Sequence, residues 1–312
     1  MCQSQRTVMI TKFHNISKVI AIFGFFAFAM SSCQDSKSDF NLHGHRGCRG
    51  LLPENSIPAF IKAVELGCQT LELDVAVSAE DEIIVSHEPY FNPDICYDSL
   101  GNEFSEHRAR ELKIMQMTYD EIAQFDCGSK FNPRFPNQEN FSVAKPRLVD
   151  LIDTVEAHCK ANDLPLPDWN IEIKSRPEWD GHFTPPPAKF AKLVHELVNE
   201  KNIADRSIVQ SFDVRTLQAY KKLDPDFNCA LLVDNNLSPE ENIERLGFEP
   251  PIYSPHYILV TADMVKWCHD QGMKIYPWTV NEIPAMKKMM AYGVDGLITD
   301  FPNRYFEITS EN

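Results

Sequence analysis

The stretch on which the fold turns is residues 41–77, NLHGHRGCRGLLPENSIPAFIKAVELGCQTLELDVAV. Its first six residues form a short β-rich run, a helical pattern follows from about Ser56 to Leu66 and stops at Gly67, and TLELDVAV (70–77) reads as a second strand. A strand, a helix and another strand in that order are the unit of a parallel sheet with crossover helices. The unit recurs along the chain. Further strand candidates are EIIVSH (82–87), WNIEIK (169–174), SIVQSF (207–212), NCALLV (228–233), PIYSP (251–255), KIYPWTV (274–280) and DGLIT (295–299). Helical patterns fall near 147–161, 186–202, 213–222, 239–246, 261–271 and 281–291. This many β/α units predicts an α/β fold of the (β/α)8 barrel type, whose usual size is ~250 residues. A doubly wound open sheet is the alternative.

Two irregularities qualify the repeat. Only Ser78–Asp81 separate the second and third strands, whereas a parallel crossover needs about a dozen residues, so a hairpin is expected there. With its turn centred between Ala79 and Glu80, Glu72 would stand opposite His87. Residues 88–146 then carry polar, Pro- and Asn-containing sequence with one helical stretch near 118–126, which reads as an insertion after the third strand, over the barrel mouth.

The composition agrees with a large folded domain. Of 312 residues, 43% are hydrophobic and 24% charged, which excludes a disordered or collagen-like chain. The formal charge of −15 is the wrong sign for a nonspecific nucleic-acid binder.

Residues 1–32 have the layout of a signal peptide: Arg6, Lys12 and Lys18 without an acid, then the uncharged run VIAIFGFFAFAM (19–30) and Ser31-Ser32-Cys33. Twelve apolar residues fall short of the ~20 that span a bilayer as a helix. Cys33 after two small residues is similar to a bacterial lipobox, which would make it the lipidated N-terminus of a membrane-anchored, exported protein; a plain cleaved signal and a buried apolar helix are the other readings. Residues 33–40 would be a tether. Losing the three cations of the leader takes the charge from −15 to −18.

Nine cysteines (2, 33, 48, 68, 96, 127, 159, 229 and 268) include no C-x-x-C, so a zinc site is poorly supported. Cys96 and Cys127 lie in the same inserted segment, and an exported chain can oxidise them to a disulfide; as small buried hydrophobes they would stay reduced.

The polar residues of the strands carry the chemistry. His45 and Arg46 close the first strand, where catalytic groups of β/α barrels sit. Glu72 and Asp74, two apart on a strand, share a face. Side by side they repel unless a cation lies between them, and a hard divalent ion is the economical partner. Glu172 and Lys174 repeat the spacing on another strand, and a buried Lys needs a partner or an anion. His87 adds a second imidazole at a strand end. Each signal alone also fits an ordinary strand end or a solvent-facing strand. Trp169, Trp179 and Trp267 read as packing, Pro185-Pro186-Pro187 as a helix start, and His43, two before His45, is the other histidine to watch.

Taken together, H-R-G-x(5)-P-E-N-S-x(2)-A-F (45–60), E-L-D-V (72–75), V-S-H-E (85–88), E-I-K (172–174), S-F-D (211–213), W-T-V-N (278–281) and G-V-D-G-L-I-T-D-F-P (293–302) make residues 41–308 resemble the glycerophosphodiester phosphodiesterase family. The resemblance implies a barrel that hydrolyses glycerophosphodiesters to sn-glycerol 3-phosphate and an alcohol with one divalent cation, Ca2+ or Mg2+. It implies His45 and His87 as acid/base groups, Glu72, Asp74 and Glu172 as metal ligands, Arg46 and Lys174 at the phosphate, and Trp278 beside the glycerol. One departure is visible: Glu88 stands where Asp is usual. Two other readings keep the barrel, a lyase that releases a cyclic phosphate, as in phospholipase-D-like enzymes, and a lipid-binding lipoprotein without catalysis.

Overall fold

The computed structural model describes residues 40–310; the leader, Cys33 and nearly all of the tether fall outside them. Nine strands form one sheet: β1 (Asn41–His45), β2 (Thr70–Val77), β3 (Ile83–Val85), β4 (Asp168–Ile173), β5 (Ser207–Ser211), β6 (Cys229–Val233), β7 (Ile252–Pro255), β8 (Lys274–Ile275) and β9 (Gly296–Thr299). Without β3, eight strands run parallel in the order β8-β7-β6-β5-β4-β2-β1-β9. The ends approach one another, because Asp295 N–H donates to Ile275 O, Ile298 N–H to Pro277 O and Val280 N–H to Ile298 O. This near-closed ring is the barrel, and it sets aside the doubly wound sheet.

Among the described residues, ten α-helices accompany the strands. Four surround the first half: α1 (Ile57–Glu65), the short α2 (Glu106–Ala109) and α3 (Tyr119–Ile122), and α4 (Leu148–Ala161). The rest are α5 (Pro187–Glu200), α6 (Val214–Leu223), α7 (Pro239–Leu246), α8 (Ala262–Asp270), α9 (Ile283–Tyr292) and α10 (Pro302–Thr309). The starts follow sequence chemistry: Ser56 accepts from Ala59 N–H at the head of α1, and Ser238 makes a reciprocal capping box with Glu241 at the head of α7. Pro187 opens α5, the role expected of the proline triplet. Among the described residues no helix is long and apolar enough to cross a membrane.

The core lies between sheet and helices. Leu71, Leu73 and Val75 of β2 pack in the same buried cluster as Ala59, Phe60 and Ala63 of α1. Because strand side chains alternate, this turns Glu72 and Asp74 to the barrel interior. Trp169 is fully buried and Trp267 packs against the core, as read from sequence.

Three expectations are corrected. The hairpin pairs Val75 with Val85 and Val77 with Ile83, so its centre is Glu80 and the register is displaced by one from that predicted; Glu72 does not face His87 across a ladder. Asp81, with φ 61°, takes a left-handed conformation that admits the additional turn residue, and Ser78 N–H bonds Glu82 O. The strand expected over 274–280 is regular only at Lys274–Ile275, and beyond it the pairing continues as an isolated parallel bridge of Trp278 with His256. The helix near 118–126 is the single turn α3, capped by Thr118 and Glu121.

Residues 88–146 form a cap with its own buried cluster, including Phe91, Ile114, Ile122 and Phe125, against Ala76 and Ile84 of the hairpin. Cys96 and Cys127 are joined by a disulfide inside it, while Cys48, Cys68, Cys159, Cys229 and Cys268 are buried thiols. The cap reaches the barrel rim through Gln138, whose Nε2 donates to Arg49 O and Leu52 O. Peptide mapping of the unreduced protein is expected to recover Cys96 linked to Cys127. Cys96→Ala should cost ~3 kcal/mol in denaturant unfolding, given a closed loop spanning 31 residues; mapping that finds both as free thiols would contradict the structure.

Candidate active site

Strand register assembles the site. His45 pairs with Glu72, Asp74 with Glu172 and Glu172 with Gln210, so residues from four strands form adjacent rows inside the barrel. Glu72, Asp74 and Glu172 are 1%, 0% and 6% exposed, and one carboxylate oxygen from each lies within 4.8 Å of the others. These are not solvent-facing strand acids. Glu72 and Glu172 line a pocket of about 600 Å³, and Asp74 lies buried beneath its floor.

The turn after β1 is shaped to enclose this floor. Arg46 has φ 50° and Gly47 φ 85°, both left-handed, and a Cβ on Gly47 would lie 2.7 Å from the Ala59 backbone. The turn aims the Arg46 backbone N–H at Glu72 Oε2, 3.0 Å away. Its guanidinium donates to Glu54 Oε1 at 2.7 Å and pairs with Asp74 Oδ2 at 3.0 Å. Lys174 Nζ lies 2.7 Å from Glu172 Oε1 and 3.1 Å from Asp74 Oδ1. Asn55 and Gln210 complete the set, donating to Asp74 Oδ2 and Glu72 Oε1.

The electrostatics follow from crowding. Burial pushes the Glu72 carboxyl well above the usual range, and the charges of Asp74 and Glu172 push further. Burial also raises Glu172, to about 7, against the pull of Lys174. Asp74 goes the other way: Lys174 and Arg46 outweigh its burial and hold it well below the usual range. Three acids thus share two fixed cations, and the cluster retains an excess of negative charge. All the ligand atoms on offer are hard oxygens converging on one point, so the residues fit a divalent cation.

Both histidines are held by carboxylates. His45 Nδ1–H donates to Asp300 Oδ1 at 2.6 Å, and His87 Nδ1–H to Glu88 Oε1 at 2.7 Å. Each bond fixes the tautomer with Nε2 unprotonated; His45 Nε2 lies 3.8 Å from Glu72 Oε2. Burial, with Arg49 adding to it, lowers His45 to about 4, and burial with Arg46 and Lys174 lowers His87. Asp300 is itself kept far below the usual range because His45 and Arg49 override its burial. Arg49 Nε and Asn281 Nδ2 donate to it at 2.8 and 2.7 Å.

Seven of the eight residues singled out from the sequence therefore line one pocket, and the eighth, Asp74, is buried under it against Arg46 and Lys174. Arg46 and Lys174 do so with their charges already engaged by acids. Trp278 lines the opposite wall, edge-on to Phe212 with ring centroids 5.4 Å apart, its Nε1–H given to Ser254 O. Trp179 departs from its expected packing role, since it lines the mouth. His43 is buried beneath the site against Tyr276 and takes no part in the pocket lining. Sequence reasoning passed over Asp300, Glu54, Asn55, Arg49 and Gln210 as functional groups, although Asp300, Glu54 and Asn55 stand inside quoted motifs.

Comparison with known proteins agrees with this geometry. The profile of the glycerophosphoryl diester phosphodiesterase family matches residues 45–304. The chain belongs to this family. A glycerophosphodiester phosphodiesterase of Caldanaerobacter subterraneus is 31% identical over 258 residues, covering 83% of this chain and 93% of that protein. One of Bacillus altitudinis is 28% identical, covering 86% and 98%. A solved Silicibacter pomeroyi structure described as a glycerophosphoryl diester phosphodiesterase superposes with a TM-score of 0.77 at 27% identity, covering 88% of this chain and 94% of that one. An Oleispira antarctica phosphodiesterase, solved with the product sn-glycerol-3-phosphate, shares the fold at 19% identity and TM-score 0.68, covering 87% and 97%. The protein is a phosphoric diester hydrolase with a TIM-type barrel, and its buried acidic triad could bind a metal.

Asp300 offers a check by pH. Its depressed pKa means that its charge stabilises the fold fully above the unfolded value of ~3.9 and loses that contribution as pH falls toward the folded value. Asp300→Asn is expected to be less stable than the wild type at pH 6 in urea, with the gap narrowing between pH 5 and pH 3. A gap that widens over that interval would contradict the ion pairs assigned to Asp300.

Proposed function

We propose that the chain hydrolyses glycerophosphodiesters to sn-glycerol 3-phosphate and an alcohol with the help of one divalent cation, Ca2+ or Mg2+. The observation that carries this reading is the convergence of Glu72, Asp74 and Glu172 between two imidazoles whose Nδ1 atoms are both held by carboxylates.

A phosphodiester is an anion that repels nucleophiles, so neutralising its charge in the transition state is the main task of the site. A cation held by the triad would supply Lewis-acid polarisation of the phosphoryl oxygens. Arg46 and Lys174 add fixed positive charge at the same floor. They are aligned by Glu54, Asp74 and Glu172 before substrate arrives, so they need little reorganisation. One histidine Nε2 takes the proton from the attacking oxygen, and the other, protonated, gives its proton to the leaving alkoxide. Both imidazoles are kept neutral by burial and nearby cations, and an incoming phosphate anion favours the protonated form of the one beside it. General acid and base steps of this kind are each worth roughly 10²- to 10⁴-fold in rate. Trp278 and Phe212 offer an apolar wall against which the glycerol carbons pack.

The same reading covers the rest of the chain. Residues 1–32 act as a lipoprotein signal, 33–40 as a tether from lipidated Cys33, and 41–308 as the catalytic barrel with its insertion at 88–146, facing the periplasm or cell exterior. The Cys96–Cys127 disulfide supports an oxidising compartment.

Purified protein is expected to release sn-glycerol 3-phosphate from a panel of glycerophosphodiesters, to stop in EDTA and to recover with Ca2+ or Mg2+. His45→Ala and Glu72→Gln should lower kcat by at least ~10²-fold with the circular dichroism spectrum unchanged. Phosphorus NMR showing a persistent cyclic phosphate would replace hydrolysis by the lyase reaction, and full activity in either variant would refute the assignment of that residue.

A further inference from the structure

The pocket has two chemically different walls. On one side stand Trp278 and Phe212, which meet edge to face with no cation over either ring among the described residues. On the other side the loop after β4 supplies Arg176 and Trp179, and the cap supplies Tyr90 and Arg110. Here each aromatic face is already covered by a guanidinium of the protein itself: Arg176 sits 4.6 Å from the Trp179 ring centroid and Arg110 5.2 Å from that of Tyr90. Just behind them Lys113 lies 4.9 Å over Phe183, which contacts both Tyr90 and Trp179.

A guanidinium stacked on one face of each ring repels a quaternary ammonium and leaves less aromatic surface to cage it. The two guanidiniums have no carboxylate partner within ion-pair distance among the described residues, unlike Arg46, Arg49, Arg147 and Arg215. Two acids outside the triad line the pocket as well, Glu88, which is held by His87, and Glu178. Arg110 and Arg176 are therefore exposed, stacked cations whose N–H donors no carboxylate among the described residues engages. An exposed cation stacked on an aromatic ring is a preorganised receptor for an oxyanion.

Building on the proposed hydrolysis, we infer that Arg110 and Arg176 form a leaving-group subsite selecting glycerophosphodiesters whose alcohol carries a second anionic group, phosphate or carboxylate. The scissile phosphate then lies on the acidic triad's floor, the glycerol lies toward Trp278 and Phe212, and the charged alcohol points to the rim between the β4 loop and the cap. A pocket of about 600 Å³ has room for such a substrate. The cap thus has a chemical role: it carries Arg110 to the rim through α2, whose Ala109 is buried.

The test compares kcat/KM for two substrates that differ by one phosphate, glycerophosphoglycerol and glycerophosphoglycerol 3-phosphate, with glycerophosphoserine as the carboxylate arm and glycerophosphocholine as the cationic one. The wild type should prefer the phosphorylated substrate by about 10-fold at low salt, less at 0.5 M NaCl, and should use the choline ester least. In Arg110→Gln/Arg176→Gln the ratio should fall toward one, and in Glu178→Gln it should rise. A serine ester used like glycerophosphoglycerol confines the subsite to phosphate. Preference for the choline ester, or a ratio unmoved by the double substitution, overturns the subsite while hydrolysis stands. No turnover of any of the four overturns the hydrolase reading and the subsite with it.

Discussion

Three buried carboxylates inside one barrel are the constraint to which the neighbouring structure responds. An ionised acid removed from water costs several kcal/mol unless it is compensated, and here Glu72, Asp74 and Glu172 are gathered within 4.8 Å. The left-handed turn at Arg46, the engaged Lys174 and the amide donors of Asn55 and Gln210 all serve that cluster. Burial holds Glu72 and Glu172 up, and only at Asp74 do Lys174 and Arg46 outweigh it. A divalent ion bound there would offset the burial of these acids. A fold without it would be served better by apolar residues at these positions, as they are at neighbouring Leu71 and Leu73.

Much of this was legible because strand geometry is local. The i, i+2 spacing of Glu72 with Asp74 and of Glu172 with Lys174 determines a shared face, and alternation with Leu71, Leu73 and Ile173 tells which face is buried in apolar surroundings. The barrel itself followed from the recurrence of β/α units. Long-range partners were not legible: Asp300 reaches His45 across 255 positions, and Gln210 reaches Glu72 across 138. Such contacts depend on barrel closure, which no local pattern encodes. The hairpin register failed for a smaller reason, since a left-handed Asp81 moved the centre of the turn to Glu80. Even so, His87 arrives at the pocket, because the chain leaves the ladder at Val85 and the Glu88 carboxylate, not strand pairing, orients the imidazole.

The charge of the whole chain and the charge of the pocket have opposite meanings. A formal −15 repels anionic substrates at a distance, while salt confines that repulsion to about 8 Å under physiological conditions. Inside the pocket the balance is made locally, by Arg46 and Lys174 at the floor and by Arg110 and Arg176 at the rim. The acidic exterior and the cationic rim are therefore compatible. The cap contributes to that balance, and its disulfide and its own apolar cluster hold it together against Ala76 and Ile84 of the hairpin.

Calorimetric titration of EDTA-stripped protein with Ca2+ and with Mg2+ asks whether the triad holds one divalent cation. One ion of at least one of them is expected to bind per chain, and Glu172→Gln is expected to lose that binding with the fold retained. Folded wild-type protein that binds neither ion, or binding unchanged in Glu172→Gln, would contradict that expectation.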